Sequence, residues 1–585
     1  MKSKATRIWG LLAAITFALL CWGAATSSAY AGGGPENVLL LVNAASESSR
    51  AVANHYMKLR GVPESNVVSL EEVPVAAKIT VEEFRTSILM PALAEMGKRK
   101  LGGQIDYVVY SADFPTQIDL AGDGRPAGLP QAKPDPFAPT GSLSAMTFLW
   151  QMVMAKNPAY VGNKTNRYWR HPVGRPALPT QAFGAWRGWD ETGDAVTEGG
   201  MHYYLSTILG VTGRRGNTLA EIVAYLEASA KADGTRPRGT IYYVKSDDKN
   251  RSGPRDGRYD DAVRELARLN VRGEVVQGQM PTGKADVQGA MMGVAKFDWA
   301  TSGSRIQGGA ICDHLTSFGG VLTGGGSQTP LTAFLKYGAA GACGTVVEPL
   351  NIADKFPHPN LHVHYAAGCS LAEAFYQSIG WPYQVVIVGD PLCRPWAHIP
   401  KVTVEGVKPN ARTRGTLAIA PTATVTGGRG ISRFDLFVDG VRRDKVNPGE
   451  SFALNTTELA DGYHELRVVA IEGGPIESQG RATVPFWVNN RGKVLALSSA
   501  ARRARLGEKI EIKVNGSGAA KIVVAHQGRQ LGEVKGGAGR IPVNTKELGS
   551  GPVTLHATSY TAGGEGTAED EPLATAAPLA IEVMP

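Results

Sequence analysis

From residue 36 to about residue 396, continuous apolar runs alternate with stretches whose apolar residues recur at helical spacing. The run "NVLLLVNA" precedes "SESSRAVANHYMKLRG", and "IDYVVYSADFP" follows "TVEEFRTSILMPALAEMGKR". The run "TIYYVKS" follows "TLAEIVAYLEASAKA" in the same way. Apolar strands separated by amphipathic helices are typical of a parallel sheet covered on both faces. The pattern predicts a three-layer α/β sandwich with a mostly parallel sheet over residues 32–398.

Residues 116–200 interrupt this alternation. They are rich in glycine and proline and carry Trp150, Trp169, Trp186 and Trp189. The segment is therefore predicted to be a long insertion that lies over the sheet. Insertions of this kind often carry binding sites. A structural lid held by its aromatic side chains is the alternative.

After about residue 400 the apolar positions alternate with polar ones, as in half-buried strands. "FDLFVDGV" ends in an Asp-Gly turn and "DGYHELRVVAI" begins with one, which is typical of hairpins. "FALNTTELADGYHELRVVA" (452–470) matches "IPVNTKELGSGPVTLHATS" (541–559) as an internal repeat. The repeat predicts two all-β sandwiches, at 399–490 and 491–585, that resemble bacterial Ig-like modules.

The first 31 residues have the pattern of an export signal. A basic segment, "MKSKATR", is followed by an apolar segment and by "AYA", a small-x-small cleavage site. This predicts a signal peptide that is cut after Ala31. No later stretch is long and apolar enough to span a bilayer, so no transmembrane segment is expected after cleavage. The protein is expected to be exported, and periplasmic, cell-surface and extracellular locations all remain open.

Charge and cysteine content narrow the functional classes. The net charge of +8 is mild, and no dense Lys/Arg run is present, which argues against a nucleic-acid partner. The cysteines after the signal are too few for a disulfide scaffold, and their pairing is left open; they are Cys312, Cys343, Cys369 and Cys393. His362 and His364 could chelate a metal from an extended segment, but no third ligand is evident. We expect no metal and no cofactor.

The block from residue 306 to 395 resembles the caspase-like cysteine peptidases, the group that contains gingipains, separases and CHAT-type proteases. The resemblance lies in the order of "AICDHLTSFGG", "AFLKYGAAGACGTVVEP", "EAFYQSI" and "VVIVGDPLCRP". The whole chain is still more similar to a family of exported bacterial proteins of unknown function. Those proteins combine an opening like "VLLLVNAxSxxSxxVAxxYxxxRGVPxxNV" with "DHLTSFGG" and "VGDPLCxP". The resemblance implies a caspase-like, gingipain-like fold for residues 32–398.

The same resemblance places Cys312 at the position of the nucleophile. In that group the histidine comes from a His-Gly at the end of the preceding strand. Here that stretch is "GVAKFDWATSGS" (293–304) and has no histidine. His314 is the remaining candidate base, about 7 Å along a strand from Cys312, with Asp313 between them. The alternative is that Cys312 is a small buried side chain without chemistry.

Acidic residues follow several of the predicted strands. If all strands are parallel, Asp113, Asp313, His314, Glu348 and Asp390 converge on one rim of the sheet. Such a set could bind a cation or a peptide, or carry out acid–base catalysis. The alternative is that these side chains cap loops and helix N-termini.

Three hypotheses for function follow from these features. In the first, the chain is a caspase-like scaffold that binds a protein or peptide ligand or that carries degenerate peptidase chemistry, and the absent strand-end histidine favours this hypothesis. In the second, it is an active cysteine peptidase that uses Cys312 with His314. In the third, it is an envelope or adhesion protein with a structural role. A hydrolase that uses rim carboxylates and a metal is a further, weaker alternative.

Overall fold

The computed structural model describes residues 32–129, 132–163, 165–170, 179–562 and 571–585. The predicted signal peptide lies outside these residues. In the α/β part of the described chain, ten strands form one mostly parallel sheet. They are β1 Val38–Asn43, β2 Val67–Leu70, β3 Tyr107–Tyr110, β4 Leu205–Ile208, β5 Thr240–Lys245, β6 Arg272–Gln277, β7 Val287–Gly293, β8 Ile306–Leu315, β9 Gly341–Thr345 and β10 Val385–Gly389.

The strand order is β6-β5-β7-β8-β9-β10-β4-β3-β1-β2. All neighbouring pairs are parallel except β9 and β10, which run antiparallel with Gly341 opposite Gly389. The sheet therefore consists of two parallel halves that point in opposite directions. Strands β5 to β9 end at one edge of the sheet, and strands β1 to β4 and β10 end at the other.

Helices alternate with these strands along the chain. They are α1 Glu47–Arg60, α2 Met90–Lys98, α3 Leu143–Phe148, α4 Trp150–Met154, α5 Leu219–Ala232, α6 Gly253–Asp256, α7 Tyr259–Arg268, α8 Thr332–Lys336, α9 Asn360–Ala366 and α10 Leu371–Ser378. A short α-helical turn, Val81–Glu83, and a π-helical segment, Phe84–Leu89, lead into α2. Helix α1 begins where the Ser46 side chain accepts a hydrogen bond from the Ser49 N–H, and it ends at Gly61, whose φ of 69° favours glycine.

The inserted segment contributes aromatic side chains to the main core. Trp189 is fully buried, with its ring 5.0 Å from that of Tyr168. Phe148 stacks on both Tyr203 and Tyr376 at 4.2 Å between ring centres. Its short strands pair locally, Gln117–Asp119 with Thr140–Ser142 and Gly188–Trp189 with Ala195–Val196. Gln117–Asp119 also pairs with Lys78–Thr80, a short strand that lies before the insertion. These contacts agree with a structural part for the insertion's aromatic residues.

The C-terminal part is all β and repeats one arrangement. Its first copy contains Lys401–Glu405, Ala411–Thr413, Thr416–Thr424, Ile431–Val438, Val441–Val446, Phe452–Asn455, Asp461–Glu472 and Gln479–Val488. Its second copy contains Leu495–Ser498, Arg503–Arg505, Lys509–Gly516, Lys521–His526, Arg529–Lys535, Ala538–Asn544, Gly551–Tyr560, Pro572–Thr575 and Leu579–Met584. Each copy encloses its own apolar core between its strands.

The internal repeat in the sequence corresponds to a repeat in the structure. In each copy a strand ends in an asparagine whose side-chain oxygen accepts a backbone N–H two residues later, over a short 3-10 turn. The acceptors are Asn455 and Asn544, at 3.2 and 3.0 Å from the donating nitrogens. The long strands Asp461–Glu472 and Gly551–Tyr560 follow. The same local chemistry therefore forms the same turn twice.

Both all-β copies pack against the α/β part. From α1, the Asn54 amide donates to the carbonyl oxygens of Leu548 and Ser550 at 2.9 and 3.0 Å. The Gln527 amide donates to Asn54 Oδ1 at 2.7 Å. The carboxylate of Glu36 is fully buried and pairs with Arg467 at 3.3 Å and Arg481 at 3.1 Å, both from the first copy. These polar contacts attach both copies to the α/β part.

Candidate functional site

The reversed direction of β10 divides the predicted rim between two edges. Strands β8 and β9 end at one edge, which holds Asp313, His314 and Glu348. Strands β3 and β10 end at the opposite edge, which holds Asp113 and Asp390. The prediction of one convergent rim is therefore wrong, because it assumed that all strands run in the same direction.

Cys312 lies inside β8, opposite Ala290 of β7. Its side chain is fully buried, and burial raises the pKa of the thiol above its ordinary value. The thiolate, which is the nucleophilic form, is correspondingly disfavoured. In this arrangement Cys312 is a protonated thiol with no access to a substrate.

His314 follows on the same face of β8 but does not bond to Cys312. Its Nε2–H donates to the carbonyl oxygen of Thr329 at 3.0 Å, and its Nδ1 is buried without a partner. The ring stands edge-on to Phe297 and Phe334 at 5.1 and 5.6 Å. Burial lowers the pKa of His314 to about 4, so that the imidazole is neutral at neutral pH.

Asp313 points to the opposite face of the sheet, because side chains alternate along a strand. There its carboxylate pairs with Arg255 of α6, with both side chains 1% exposed. The Arg255 guanidinium also donates to the carbonyl oxygens of Met292 and Pro357, at 2.7 and 3.1 Å. Burial opposes the charge on Arg255, but Asp313 outweighs it and the pKa of Arg255 is raised. Asp313 thus neutralises a buried arginine.

The thiol that contacts Asp313 is Cys343, from β9, and not Cys312. Its Sγ–H donates to Asp313 Oδ1 at 3.1 Å. Burial, and then the negative charge of Asp313, raise the pKa of Cys343 well above its ordinary value. The structure therefore does not bring Cys312, Asp313 and His314 together as a catalytic group. Strand alternation separates Asp313 from the other two.

At the opposite edge, the carboxylates of Asp113 and Asp390 each accept hydrogen bonds from neighbouring side chains. Asp113 accepts hydrogen bonds from the hydroxyls of Ser46 and Thr212, each at 2.6 Å. Asp390 is buried and accepts from the Tyr56 hydroxyl at 3.0 Å and from Arg60 Nε at 2.9 Å. Burial raises the pKa of Asp390 in spite of Arg60. These four donors are side-chain groups. The loop-capping contact of this pair of aspartates is that of Asp390 Oδ1, which also accepts the Leu392 N–H at 3.1 Å.

A cleft of about 340 Å³ opens at the edge where β8 and β9 end. It is lined by Asn250, Arg251, Leu315, Ser317, Glu348, Leu350, Asn351 and Phe356. Glu348 Oε1 accepts the Leu350 N–H at 2.9 Å, and Leu350 has a φ of 62°, a region that a leucine rarely adopts. Arg251 pairs with Asp248 at 2.8 Å, and its Nε is buried without a partner. The cleft thus combines one cation, one carboxylate and apolar side chains.

Sequence reasoning identified Glu348 but missed Arg251. The stretch around Arg251, "SDDKNRSGPRDGRYDD", has the composition of a solvated loop. One feature of the sequence indicated a binding role for Arg251: it follows β5 closely, and ligands in α/β folds bind beyond the carboxyl ends of strands.

His362 and His364 lie in helix α9 and not in the extended segment from which they were predicted to chelate a metal. His362 Nε2–H donates to the Ile311 carbonyl oxygen at 3.1 Å, and His364 Nδ1 is 2.8 Å from the Thr180 hydroxyl. Across the described residues, no group of three or more His, Cys, Asp or Glu side chains is placed to hold a metal ion. None of the helices in that part of the chain combines the length and apolar character needed to cross a bilayer.

The four cysteines of the described chain are free, buried thiols, namely Cys312, Cys343, Cys369 and Cys393. We expect iodoacetamide to leave all of them unmodified in the folded protein up to about pH 9, because burial excludes the reagent and disfavours the thiolate. Peptide mass spectrometry gives the modified positions. The same reaction in denaturant is the control and should modify each thiol. Rapid labelling of Cys312 near neutral pH in the folded protein would contradict this expectation and support the peptidase hypothesis.

No protein-family model matches this chain, and no curated protein matches it. Solved structures give low-scoring likenesses, each over 32% of this chain. The fibronectin(III)-like modules of Clostridium thermocellum CbhA are 13% identical over 93% of their chain, with a TM-score of 0.14. The Bacteroides ovatus glucan-utilisation protein SGBP-B, solved with a mixed-linkage heptasaccharide, is 14% identical over 47% of its chain, at 0.19. Latent PorU from Porphyromonas gingivalis is 15% identical over 20% of its chain, at 0.13.

Proposed function

We propose that this is an exported protein whose caspase-like α/β domain, residues 32–398, binds a peptide ligand and does not cleave it. The observation that supports this most is the contrast at one sheet edge. The groups that could react, Cys312, Asp313 and His314, are buried and paired or blocked by neighbours. The adjoining cleft is open and carries Arg251 and Glu348.

The chemistry of the cleft suits a short extended peptide. Arg251 and Glu348 offer one charge of each sign, and Asn250, Ser317 and Asn351 offer hydrogen-bond donors and acceptors. Apolar side chains complete the lining, as in most sites for small ligands. We propose that the two Ig-like domains, residues 399–490 and 491–585, hold the α/β domain in place.

Replacing the two charged cleft residues tests this proposal. We expect Arg251→Ala and Glu348→Gln each to weaken peptide binding by about tenfold, the loss expected for one hydrogen bond to a charged group. The probes are fluorescein-labelled hexapeptide pools of defined charge, with fluorescence anisotropy as the measurement. The two variants should change which pool is preferred, in opposite directions, because they remove opposite charges.

Arg264→Ala is the matched control, since this side chain is 65% exposed on α7 and, among the described residues, pairs with Asp261. It should bind the peptide pools like the unaltered protein. Binding that is the same in all variants, or no binding of any pool, would contradict the proposed site. Cleavage of the pools, seen as fragments by mass spectrometry, would contradict the absence of peptidase activity.

A further inference from the structure

A second cavity, of about 620 Å³, lies at the sheet edge opposite the peptide cleft, where β5 and β6 begin. Arg236 and Arg238 come from the loop before β5, whereas Arg268 is the last residue of α7 and Arg272 is the first residue of β6. Its lining contains Arg236, Pro237, Arg238, Gly239, Arg268, Leu269, Asn270, Val271, Arg272, Ala366, Ala367, Trp396 and His398. We call this cavity the arginine pocket.

The arginine pocket is lined by several positive charges and by no carboxylate among its described lining residues. Among the described residues that line it, four are arginines, one is a histidine and none is acidic. A concave surface of one sign concentrates its potential and attracts ions of the opposite sign. The chain's net charge of +8 adds to this effect and does not cause it, because the arginines are local to one cavity.

The individual arginines are available to a ligand. Arg268 and Arg272 pair with Glu265 and Glu274 at 2.6 and 3.8 Å, but these arginine side chains are 74% and 69% exposed. Exposed pairs of this kind contribute little and exchange readily. Arg238 is exposed and pairs with no carboxylate in the described chain.

The arrangement of Arg236 and His398 points in the same direction. The Arg236 guanidinium lies against the His398 ring, and the His398 Nδ1–H donates to the Thr426 carbonyl oxygen at 2.8 Å. Two nitrogen-bearing groups are thus held side by side at the pocket wall. Arg236 Nη2 contacts the His398 ring directly, so an anion in the pocket would accept hydrogen bonds from the guanidinium N–H groups that face away from His398.

The helix dipole explains the position of only one of the four arginines that line the pocket. Arg268 is the last residue of α7, where a cation is favoured by the helix dipole in any case. Arg236, Arg238 and Arg272 have no such reason to be there. Their planar guanidinium groups match the oxygen spacing of phosphate, and several around one cavity suit more than one phosphate group.

We propose that the arginine pocket binds a ligand with two or more phosphate groups. The ligand is either a soluble phosphorylated molecule or the phosphorylated head group of a lipid, because both present the same chemistry. This site lies apart from the peptide cleft and does not depend on the proposed peptide function.

The test uses the full chain without residues 1–31, with inorganic tripolyphosphate as the probe in isothermal titration calorimetry. We expect saturable binding that weakens as salt is raised, and orthophosphate should bind about tenfold more weakly than tripolyphosphate. The double variant Arg238→Ala/Arg272→Ala should bind tripolyphosphate at least about tenfold more weakly.

The control is Arg258→Ala/Arg264→Ala, which removes the same charge from α7 and its start, outside the pocket. Its arginines are 56% and 65% exposed. It should bind tripolyphosphate within about twofold of the unaltered chain, a difference of a few tenths of a kcal/mol. An equal loss in both double variants would overturn the proposal, because net charge alone would then account for binding.

Vesicles separate the two sources of phosphate. Co-sedimentation with cardiolipin vesicles and not with phosphatidylcholine vesicles, lost in Arg238→Ala/Arg272→Ala, would support a lipid head group. Tripolyphosphate binding without co-sedimentation would support a soluble ligand. Failure to bind either probe would overturn the proposal. Unchanged melting temperatures of the variants exclude unfolding as the cause of any loss.

Discussion

Replacing Asp313 by asparagine is expected to destabilise the α/β part by about 3–5 kcal/mol. The reason is the environment of Arg255, whose guanidinium is 1% exposed and has Asp313 as its paired carboxylate. Asparagine keeps the size of the side chain but leaves that charge buried and uncompensated. The measurement is the urea midpoint of unfolding, followed by tryptophan fluorescence.

Two further variants make this expectation specific. Asp247→Asn changes an exposed aspartate on the loop after β5 and should leave the midpoint unchanged. Asp313→Asn/Arg255→Met removes both charges and should recover much of the stability lost in the single variant, since breaking a buried pair costs more than replacing it. A loss below about 1 kcal/mol in Asp313→Asn would mean that water reaches the guanidinium.

Replacing Glu36 by glutamine is expected to cost about 2–4 kcal/mol near neutral pH, where the carboxylate is charged. Glu36 is fully buried between Arg467, 8% exposed, and Arg481, 23% exposed, and partial solvation of Arg481 reduces the cost. The change should loosen the contact between the first all-β copy and the α/β part. Limited proteolysis and urea unfolding measure the effect, which should appear as a separate early transition.

The Glu36 effect is also expected to depend on pH. Burial raises the pKa of Glu36, but Arg481 and Arg467 together outweigh burial and lower it below its ordinary value. A carboxyl with a lowered pKa stabilises the fold above its unfolded pKa, and this stability is lost as the pH falls through the folded pKa. The difference between Glu36→Gln and the unaltered protein should therefore shrink in acid. Glu405→Gln, an exposed site on the same copy, should show no difference at any pH.

Much of the fold can be predicted from the sequence because burial leaves a clear pattern. Runs such as Val38–Asn43, apolar up to the final asparagine, became fully buried strands, and alternating runs such as Lys509–Gly516 became strands with one buried face. The Gly61 stop, the repeated asparagine turns and the change of pattern near residue 400 each depend on neighbouring residues only. Local chemistry is sufficient for features of this kind.

The candidate site could not be predicted in the same way, because it depends on strand direction. An apolar run such as Val385–Gly389 is buried on both faces whether it runs parallel or antiparallel, so its sequence contains no sign of its reversal beside β9. That reversal separates Asp390 from Asp313. Similarly, the residues next to Arg255 in the sequence do not distinguish it from the exposed Arg258. The carboxylate that pairs with buried Arg255 belongs to Asp313, 58 residues further along the chain.

The bonds between Asn54 and the second all-β copy have a consequence for how the chain reaches its final form. The two residues joined by the Asn54–Leu548 bond are 494 positions apart in the sequence. Contacts between distant segments form slowly, and during synthesis this one has to wait until almost the whole chain has emerged. The part of α1 around Asn54 therefore lacks this cover throughout elongation, and a chain truncated before residue 548 would keep it uncovered permanently.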